Sequence, residues 1–312
     1  MRVPALHIGG KVIIVRGTHL KIAVVHNESW LNSEVSEPEL CVQALQGQDS
    51  RGLRADIFTF AQIPPATVPK YGYAVEWESI AAVRTSNFED WWKQLPQESR
   101  KNVRRSQKRG VVVRVANLDD NLIMAMVGLN NDNPMRQNTP FAHYGKSFDQ
   151  VRKDQSTFLD HSDFLCAYFG EELIGFLKLV YRGESASVLQ FIPKASHHDK
   201  RPANALLAKA VELCQAKGMS YLTYGMMNYG NKRNSSLRDF KIRNGFQEML
   251  MPRFYIPLSA KGSLCMALKL HRGLLGILPP QVITIGVTAR AKWYGLVHST
   301  GRCSSMVEQP RM

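Results

Sequence analysis

The sequence lacks the cysteine patterns and the leader that would assign it to several common classes of protein. Its five cysteines are widely spaced, and no Cys-x-x-C pair occurs among the 312 residues. Neither a zinc site nor a redox pair is therefore indicated. The N-terminus, MRVPALHIGG, lacks the long apolar core and the small-residue cleavage site of a signal peptide. We expect free thiols and a reducing, cytoplasmic compartment.

Acidic residues are scarce relative to basic ones. The 40 Lys and Arg residues outnumber the 26 Asp and Glu residues, which gives a formal net charge of +14 at pH 7. The hydrophobic fraction of 44% and the charged fraction of 21% are typical of a folded chain. The excess favours an anionic partner, such as nucleic acid, a phosphorylated carrier or a membrane surface. A basic surface without a specific partner is the alternative.

No apolar run is long enough to be a convincing transmembrane segment. The seventeen uncharged residues between Arg272 and Arg290 are slightly short for a span, and a pair of prolines interrupts them. Packing against its own domain is favoured for this stretch over peripheral contact with the inner face of the membrane. Residues 261–312 form a basic extension, with seven Lys or Arg against Glu308, a net charge of +6. The last twelve residues resemble the translated front end of a transfer-RNA gene, and we expect them to be disordered.

The first half of the chain predicts short strands followed by helices. KVIIV, KIAVV, ADIFTF, GYAVEWESIAAV and VVVRVA are short, rich in β-branched or aromatic residues, and bounded by turn residues. FEDWWKQLPQESRKNVRRSQKRG predicts a helix with a break near Pro96, a cap at Ser99 for its second piece, and a stop at Gly110. DDNLIMAMVGLNN predicts a further helix.

The second half predicts a meander of strands and then an alternation of helices and strands. Residues 164–169, 173–181 and 186–192 are the expected strands, joined by tight turns. SHHDKRPANALLAKAVELCQAKG and NSSLRDFKIRNGF predict helices, the second capped by Ser235 and ended at Asn244-Gly245. MSYLTYG and PRFYIPL predict strands. This order indicates an α+β fold built of mixed α/β layers.

One predicted helix is strongly basic. Six cations follow one another at three- and four-residue spacing, so most of them share one broad face. Such a face either binds a polyanion or is a solvated surface with its side chains spread in water. The six residues are Arg100, Lys101, Arg104, Arg105, Lys108 and Arg109.

The order of elements, together with the SRKNVRRSQKRGV segment and NSSLRDFKIRNGF near its end, resembles the GNAT-type N-acyltransferase fold. The resemblance is to its Fem-like branch, which is related to the peptidoglycan aminoacyltransferases, and it covers about residues 20–260. Fem-like proteins resemble two such folds in tandem. The resemblance therefore implies a degenerate N-terminal half over residues 1–130, an acyltransferase domain over residues 131–260, and the extension over residues 261–312.

The expected donor site departs from the usual pattern. An acetyl-CoA-dependent member has a glycine-rich turn whose backbone amides hold the pyrophosphate, but the corresponding turn here, KASHHDKRPANAL, has no glycine. Side-chain charge at the following helix N-terminus takes its place. No tightly bound cofactor is implied; the co-substrate is acyl-CoA or aminoacyl-tRNA, and the +14 charge suits tRNA. The donor-binding candidates are Lys194, His197, Lys200, Arg201 and Asn204.

A metal is not expected at His197-His198-Asp199, because adjacent side chains diverge too far to share one ion. The catalytic candidates come from the resemblance. The Phe-Lys-x-x-x-Gly pattern implies that Lys241 stabilises the tetrahedral oxyanion; a surface lysine after a core phenylalanine is the alternative. Tyr224 and Tyr229, at the end of a strand where this fold splays its sheet, could protonate a leaving group or simply pack.

The loop NPMRQNTPFAHYGK precedes the helix that leads into the meander, which places it near the cleft that admits the acceptor in such folds. Arg136 offers a planar fork for a carboxylate or phosphate, and His143 could act as a base. A structural loop, with its aromatic residues filling a gap, is the alternative. The acceptor-binding candidates are Arg136, Gln137, His143, Tyr144 and Lys146.

These expectations support two hypotheses about function. The first is transfer of an acyl or aminoacyl group to an amine of a sugar, peptide or lipid-linked cell-envelope precursor, in the cytoplasm or at the inner face of the membrane. The attacking amine must lose a proton, so a base is needed besides the oxyanion stabiliser. The second is a non-catalytic GNAT-like module that binds nucleic acid or another anionic partner through its basic surface.

Overall fold

The computed structural model describes residues 5–31, 33–47, 53–136, 139–228 and 235–273. Within these ranges an eleven-stranded mixed sheet runs through the molecule, and helices cover its faces. A two-stranded hairpin lies apart from this sheet. The uncharged stretch beyond Gly273, the C-terminal peptide, Gln137 and Tyr229 lie outside the described residues. Among the helices that are described, none has the length and apolar character required to cross a bilayer.

Most strands of the first half lie toward one end of the sheet. Its elements are β1 (Ala5–Ile8), β2 (Lys11–Arg16), β3 (Ile22–Val25), α1 (Pro38–Gln46), β4 (Ile57–Ala61), β5 (Ala74–Arg84), α2 (Phe88–Gln94), α3 (Gln97–Lys108), β6 (Val111–Ala116) and α4 (Asp120–Asn130). Asn87 caps α2 by accepting hydrogen bonds from the amides of Glu89 and Asp90. Gly110, at φ +81°, ends the α3 segment with the left-handed turn that glycine tolerates best.

Most strands that the second half adds to the sheet lie toward the other end. Its elements are β7 (Met135–Arg136), β8 (Thr139–Pro140), α5 (Phe148–Gln155), β9 (Ser162–Phe169), β10 (Glu172–Arg182), β11 (Ser185–Pro193), α6 (Pro202–Ala216), β12 (Tyr221–Met226), α7 (Ser236–Arg243), β13 (Gln247–Pro257) and α8 (Ala260–Ala267). Short 3-10 turns precede α1, α6 and β9 and follow α8.

The strand order mixes the two halves of the chain. It runs β1-β2-β3-β4-β13-β5-β12-β11-β10-β9-β6. The last strand, β13, therefore pairs antiparallel with both β4 and β5 of the first half, and β6 joins the far edge beside β9. The described chain builds one continuous sheet from both halves. The division into two halves at residue 130 stays a prediction.

Three buried clusters hold the layers together. The largest joins α6, α2 and α3 to the central strands, through residues such as Leu177 and Leu206. A second packs α4 and α5 on the opposite face, around Phe176 and Met126. The third fills the first-half end of the sheet and includes Phe58. Adjacent strand residues 176 and 177 thus serve opposite faces, as the alternation of a β-strand requires.

The predicted α+β class and most predicted elements are confirmed. The helix break at Pro96 separates α2 from α3, and the meander is β9 to β11. The prediction of Ser99 as a helix cap was wrong. Pro96 occupies the N-cap position of α3, and Ser99 lies inside the helix, where its hydroxyl donates to the Arg243 carbonyl. Proline suits the start because its missing amide is not needed there.

Candidate active site

The sheet splays between β11 and β12. These two strands pair in parallel only where Ser185–Ser187 lie opposite Tyr221–Thr223. Beyond that point β11 continues to Pro193 and β12 to Met226 without pairing to each other. A bulge in the β12–β5 pairing between Thr223 and Met226 turns β12 away. The separation of the two strands leaves a gap in the sheet that a ligand can enter.

A cleft of about 1070 Å³ opens over this gap. Its walls come from the N-terminal turn of α3, the β7–β8 hairpin, the end of β11, the start of α6, and α7. The lining residues that bear on function are Glu98, Arg136, Phe141, Phe191, Lys194, His198, Arg201, Asn204, Tyr224, Phe240, Arg243 and Asn244.

The cleft is cationic. Lys and Arg side chains line it at four positions, whereas Glu98 supplies the one carboxylate among its described lining residues. Lys194 is neutralised in part, since it is ion-paired with Glu172 at the rim. The remaining guanidinium groups, on Arg136, Arg201 and Arg243, therefore give the cleft a positive potential suited to an anionic ligand.

Arg201 lies in the turn that lacks glycine. Its φ of 57° is left-handed, a conformation that costs a non-glycine residue about 1–2 kcal/mol. It directly precedes α6, whose N-terminus has no side-chain cap. Its Nε is buried without a hydrogen-bond partner among the described residues, and its Nη1 lies 3.4 Å from Nδ1 of His198. A guanidinium group thus lies at the N-terminus of α6, where the exposed amides of a helix favour an anion.

The other predicted donor residues divide between two sides of the turn. Lys194 and Asn204 line the cleft, and the Asn204 amide donates to Oδ1 of Asn244 at 3.0 Å. His197 and Lys200 lie against the Phe169 ring, the Lys200 ammonium 4.4 Å from its centroid. They do not line the cleft.

The turn itself is held by the carboxylate of Asp132. Asp132 accepts hydrogen bonds from the amides of Ala195 and Ser196, at 2.8 and 3.1 Å, and from the Ser196 hydroxyl. Burial alone would raise the pKa of Asp132, but these hydrogen bonds outweigh it and lower the pKa. Two amides of the turn are therefore engaged by the protein itself and do not serve a phosphate.

Lys241 lies beneath the cleft. Its side chain is 0% exposed, its Nζ donates to the Met226 carbonyl at 2.7 Å, and it lies 4.6 Å from the centroid of the Tyr224 ring. Burial lowers the pKa of Lys241 from 10.5 to about 8. The side-chain amine is therefore still largely protonated at pH 7. The Tyr224 ring forms the cleft wall above it.

The face of α7 that lines the cleft is not the one that carries Lys241. Leu237, Phe240 and Asn244 recur at three- and four-residue spacing and face the cleft with Arg243, whereas Lys241 is turned by about 100° toward the sheet. Sequence reasoning missed Arg243 and Asn244, although this helical spacing from Phe240 could have found them. It missed Phe191 as well, which meets the rings of Tyr224 and Phe240.

The acceptor loop contributes Arg136 and Phe141 to the cleft. The Arg136 guanidinium lies 4.0 Å from the centroid of the Phe141 ring, and its Nη2 donates to the Pro193 carbonyl at 3.0 Å. Its Nε is buried without a partner in the described part of the chain. Burial lowers the pKa of Arg136, but a guanidinium stays charged at neutral pH.

The rest of the loop lies behind the cleft. Nε2 of His143 is 3.2 Å from the Gln190 amide, on the face of β11 opposite Phe191. Lys146 approaches Nδ1 of His143 at 3.2 Å and is ion-paired with Asp154 at 2.6 Å. Burial, and then the charge of Lys146, lower the pKa of His143. Tyr144 is exposed. The structure therefore brings Arg136 to the cleft and leaves the other three described candidates outside its walls.

The predicted basic helix is α3, and it adjoins the cleft. A second pocket of about 360 Å³ lies beside it, where Trp92 meets several cations. The Arg104 guanidinium lies 5.6 Å from the Trp92 ring, and Arg109 is ion-paired with Asp199 at 3.0 Å. Among the described residues, no group of three or more metal-ligating side chains occurs.

No protein-family model and no curated protein sequence matches the chain significantly. Solved structures do match. The C-terminal domain of a protein assigned as a lysylphosphatidylglycerol synthetase from Agrobacterium fabrum superposes with a TM-score of 0.54 at 14% identity, over 84% of this chain and 86% of that one. FemX matches with a TM-score of 0.53 at 9% identity, over 84% and 89%.

L-PGS from Bacillus licheniformis matches with a TM-score of 0.52 at 13% identity, over 87% of this chain and 88% of that one. At such low identity these likenesses concern the fold alone. They extend over most of both chains. The chain therefore shares its fold with FemX and with these two lysylphosphatidylglycerol-related proteins.

Proposed function

We propose that the protein transfers an acyl or aminoacyl group from an anionic carrier to an amine, and that the splayed cleft is its active site. The observation that carries this proposal is the parting of β11 and β12 into a cationic cleft of about 1070 Å³ with a buried lysine below it. A cleft of this volume accommodates the reactive end of a carrier together with an acceptor group.

The carrier we propose is aminoacyl-tRNA rather than acyl-CoA. The turn before α6 lacks the glycines of a pyrophosphate cradle, and Asp132 engages the amides of Ala195 and Ser196. The basic helix α3 contributes its first turn to the cleft wall, so a polynucleotide whose acylated end lies in the cleft could continue along it. The names FemX and lysylphosphatidylglycerol synthetase support only the reaction class and a cell-envelope acceptor.

The proposed chemistry assigns a role to each group. The acceptor amine attacks the ester carbonyl, a C–N bond forms, and the ester C–O bond breaks. The positive charge of Lys241 stabilises the oxyanion from below Tyr224. Glu98 takes the proton that the amine loses, and the leaving oxygen of the carrier gains a proton through Tyr224. Arg136, packed on Phe141, holds an anionic group of the sugar, peptide or lipid-linked precursor.

Two buried lysines offer a matched test of this scheme. Lys178 resembles Lys241 in being 0% exposed, and burial lowers its pKa to about 8 as well, but it lies away from the cleft. We expect Lys241→Met to slow the release of labelled amino acid from mixed aminoacyl-tRNA, in the presence of a cell-envelope extract, by about 100-fold or more. Lys178→Met should retain the activity. Equal rates in the two variants would refute the role of Lys241.

The pocket at Trp92 favours a second candidate, a non-catalytic module that binds nucleic acid through α3. Thermal-shift measurements with acyl-CoA, aminoacyl-tRNA and uncharged RNA distinguish the two. Transfer predicts a larger stabilisation by aminoacyl-tRNA than by uncharged tRNA, and its loss in Arg201→Gln but not in Lys200→Gln. The binding module predicts equal stabilisation by both RNAs and no amino-acid release.

A further inference from the structure

The end of the described chain presents leucines to solvent. Leu264 of α8 and Leu268, the C-cap residue of this helix, are 60% and 58% exposed, and Leu270 in the turn that follows is 46% exposed. Leu264 and Leu268 are four residues apart and so lie side by side on one face of the helix. We call Leu264, Leu268, Leu270 and the neighbouring Lys269 the α8 surface.

This exposure is not the result of a loosely placed helix. Ser259 caps α8 by accepting from the Gly262 amide, and Gly262 packs so closely on Asp56 that a Cβ there would meet the Asp56 carbonyl oxygen at 1.9 Å. Lys261 is ion-paired with Asp56 at 3.2 Å, and Arg272 with Glu76 at 2.8 Å. The inner side of α8 is therefore fixed to the sheet, and its leucines are left on the outer side.

The sequence around the α8 surface indicates what covers it. Residues 261–312 carry a net charge of +6, from seven Lys or Arg against one acid. Residues 273–289 are uncharged, and Arg290, Lys292, Trp293 and Tyr294 follow them. Exposed leucines, an uncharged stretch, cations and paired aromatic residues are together a composition typical of interfacial segments. The sequence alone favoured packing of the uncharged stretch on its own domain, but the exposed leucines of the described chain favour peripheral contact with a membrane.

We propose that the α8 surface docks the protein on a bilayer that contains anionic phospholipid. The leucines enter the boundary between headgroups and acyl chains, while Lys269 and the net positive charge of residues 261–312 attract the anionic lipid. The surface lies at the first-half end of the sheet, on β4 and β13, whereas the cleft lies between β11 and β12. The α8 surface is therefore separate from the cleft, and this inference does not depend on the proposed reaction.

The test is co-sedimentation of the full chain with vesicles, without substrate. Vesicles of phosphatidylcholine with one third phosphatidylglycerol should bind the protein, and those of phosphatidylcholine alone should bind it much more weakly. We expect the double substitution Leu264→Ser, Leu268→Ser to weaken binding at least about tenfold, since burial of even one leucine contributes a factor of that order. The matched control is Leu40→Ser with Leu159→Ser, at leucines of 45% and 46% exposure elsewhere.

Other occupants of the surface give different results. If residues 274–289 or a second copy of the chain cover these leucines, the native protein does not bind either vesicle. In the first case the double substitution lowers the melting temperature instead, and in the second it converts a dimer to a monomer. Either result overturns the proposal, as does equal vesicle binding by the two double variants. A double variant that keeps the native melting temperature and loses only phosphatidylglycerol binding supports it.

Discussion

Lys178 and Lys241 are two fully buried lysines, and each donates to the backbone, Lys241 to the Met226 carbonyl. Lys178 donates to the carbonyls of Gln155 and Thr157 at 2.6 and 2.5 Å and lies 4.9 Å from the Phe164 ring. Burial lowers the pKa of each from 10.5 to about 8. The native state therefore holds these protons less tightly than the unfolded chain does.

This difference predicts a pH dependence of stability. Between pH 8 and 10.5 the unfolded chain keeps a lysine proton that the native state has released, so the free energy of unfolding rises with pH. For Lys178 we expect a rise of about 2 kcal/mol between pH 8 and 10, which Lys178→Met should abolish. Urea denaturation of both proteins at the two pH values measures it. Tyrosines contribute equally to the pH dependence of both proteins, so the difference between the two isolates Lys178. An identical rise in the two proteins would contradict the expectation.

Gly245 is required for two reasons, the left-handed turn after α7 and the close approach of Trp91. Its φ is +86°, and a Cβ there would lie 2.9 Å from Nε1 of Trp91, which donates to the Asn244 carbonyl at 3.2 Å. Gly245→Ala should destabilise the protein by about 2–3 kcal/mol, from backbone strain and the weakened hydrogen bond. Gly170, at φ +59° with nothing near its Cβ, supplies the control.

Gly170→Ala should show the strain alone, about 1 kcal/mol. The two substitutions are compared by urea denaturation at neutral pH. Equal losses of stability would mean that the contact with Trp91 does not matter. The sequence predicted the glycine stop at Gly245 from Asn-Gly after a helical pattern, but it could not predict Trp91, because that contact joins residues 154 positions apart.

At the scale of the element, local sequence patterns predicted where helices and strands lie, but they did not predict which side of an element or loop faces the cleft. The helical period of α6 and α7, the cap at Ser235 and the strands β9 to β11 all follow from short-range rules. Which side of a loop meets the cleft depends on distant partners. His143 and Arg136 were grouped because they share one loop, yet His143 packs on Gln190 behind β11 and Arg136 reaches the cleft.

The basic face of α3 gives a prediction about an element. We expect the triple substitution Arg100→Gln, Lys101→Gln, Arg104→Gln to weaken tRNA binding and to reduce the slope of log K against log salt by about 2–3, because each lost phosphate contact removes close to one counterion. Filter binding at several salt concentrations measures both quantities.

The control for α3 carries the same loss of charge elsewhere on the surface. Lys70→Gln, Lys153→Gln and Lys209→Gln remove three cations that lie outside α3 and outside the cleft. This variant should keep the native slope. If both triple variants lose affinity equally, binding follows net charge, and α3 is a solvated face.

For the whole molecule, the strand order is the feature that the sequence could not supply. PRFYIPL was predicted as a strand that closes the second half, and β13 is that strand. It pairs with β4 residues about 195 positions away and with β5 residues about 170 positions away. No periodicity in the sequence encodes such a pairing. The splay between β11 and β12 was expected only through the resemblance, because composition and spacing give no gap in a sheet.

Arg253 of β13 connects the two ends of the chain. Its Nη2 lies 2.8 Å from Glu28 near the start of the chain, and its Nε contacts Glu78 of β5. Burial alone would lower the pKa of Arg253, but these two carboxylates raise it above its ordinary value. A guanidinium shared by two carboxylates is therefore part of what fixes β13 between the strands of the first half.

We expect Arg253→Met to destabilise the protein by about 3–5 kcal/mol, because it leaves two poorly solvated carboxylates facing each other without a cation. Adding Glu28→Gln and Glu78→Gln should restore most of that loss, since the side-chain amide oxygen introduced at position 28 can still accept the hydrogen bond that Glu28 accepts from the Ala61 amide at 2.7 Å. Urea denaturation of the single and triple variants measures both changes. A single variant as stable as the native protein would show that packing alone positions β13, and a triple variant no better than the single one would show that the loss is steric and not electrostatic.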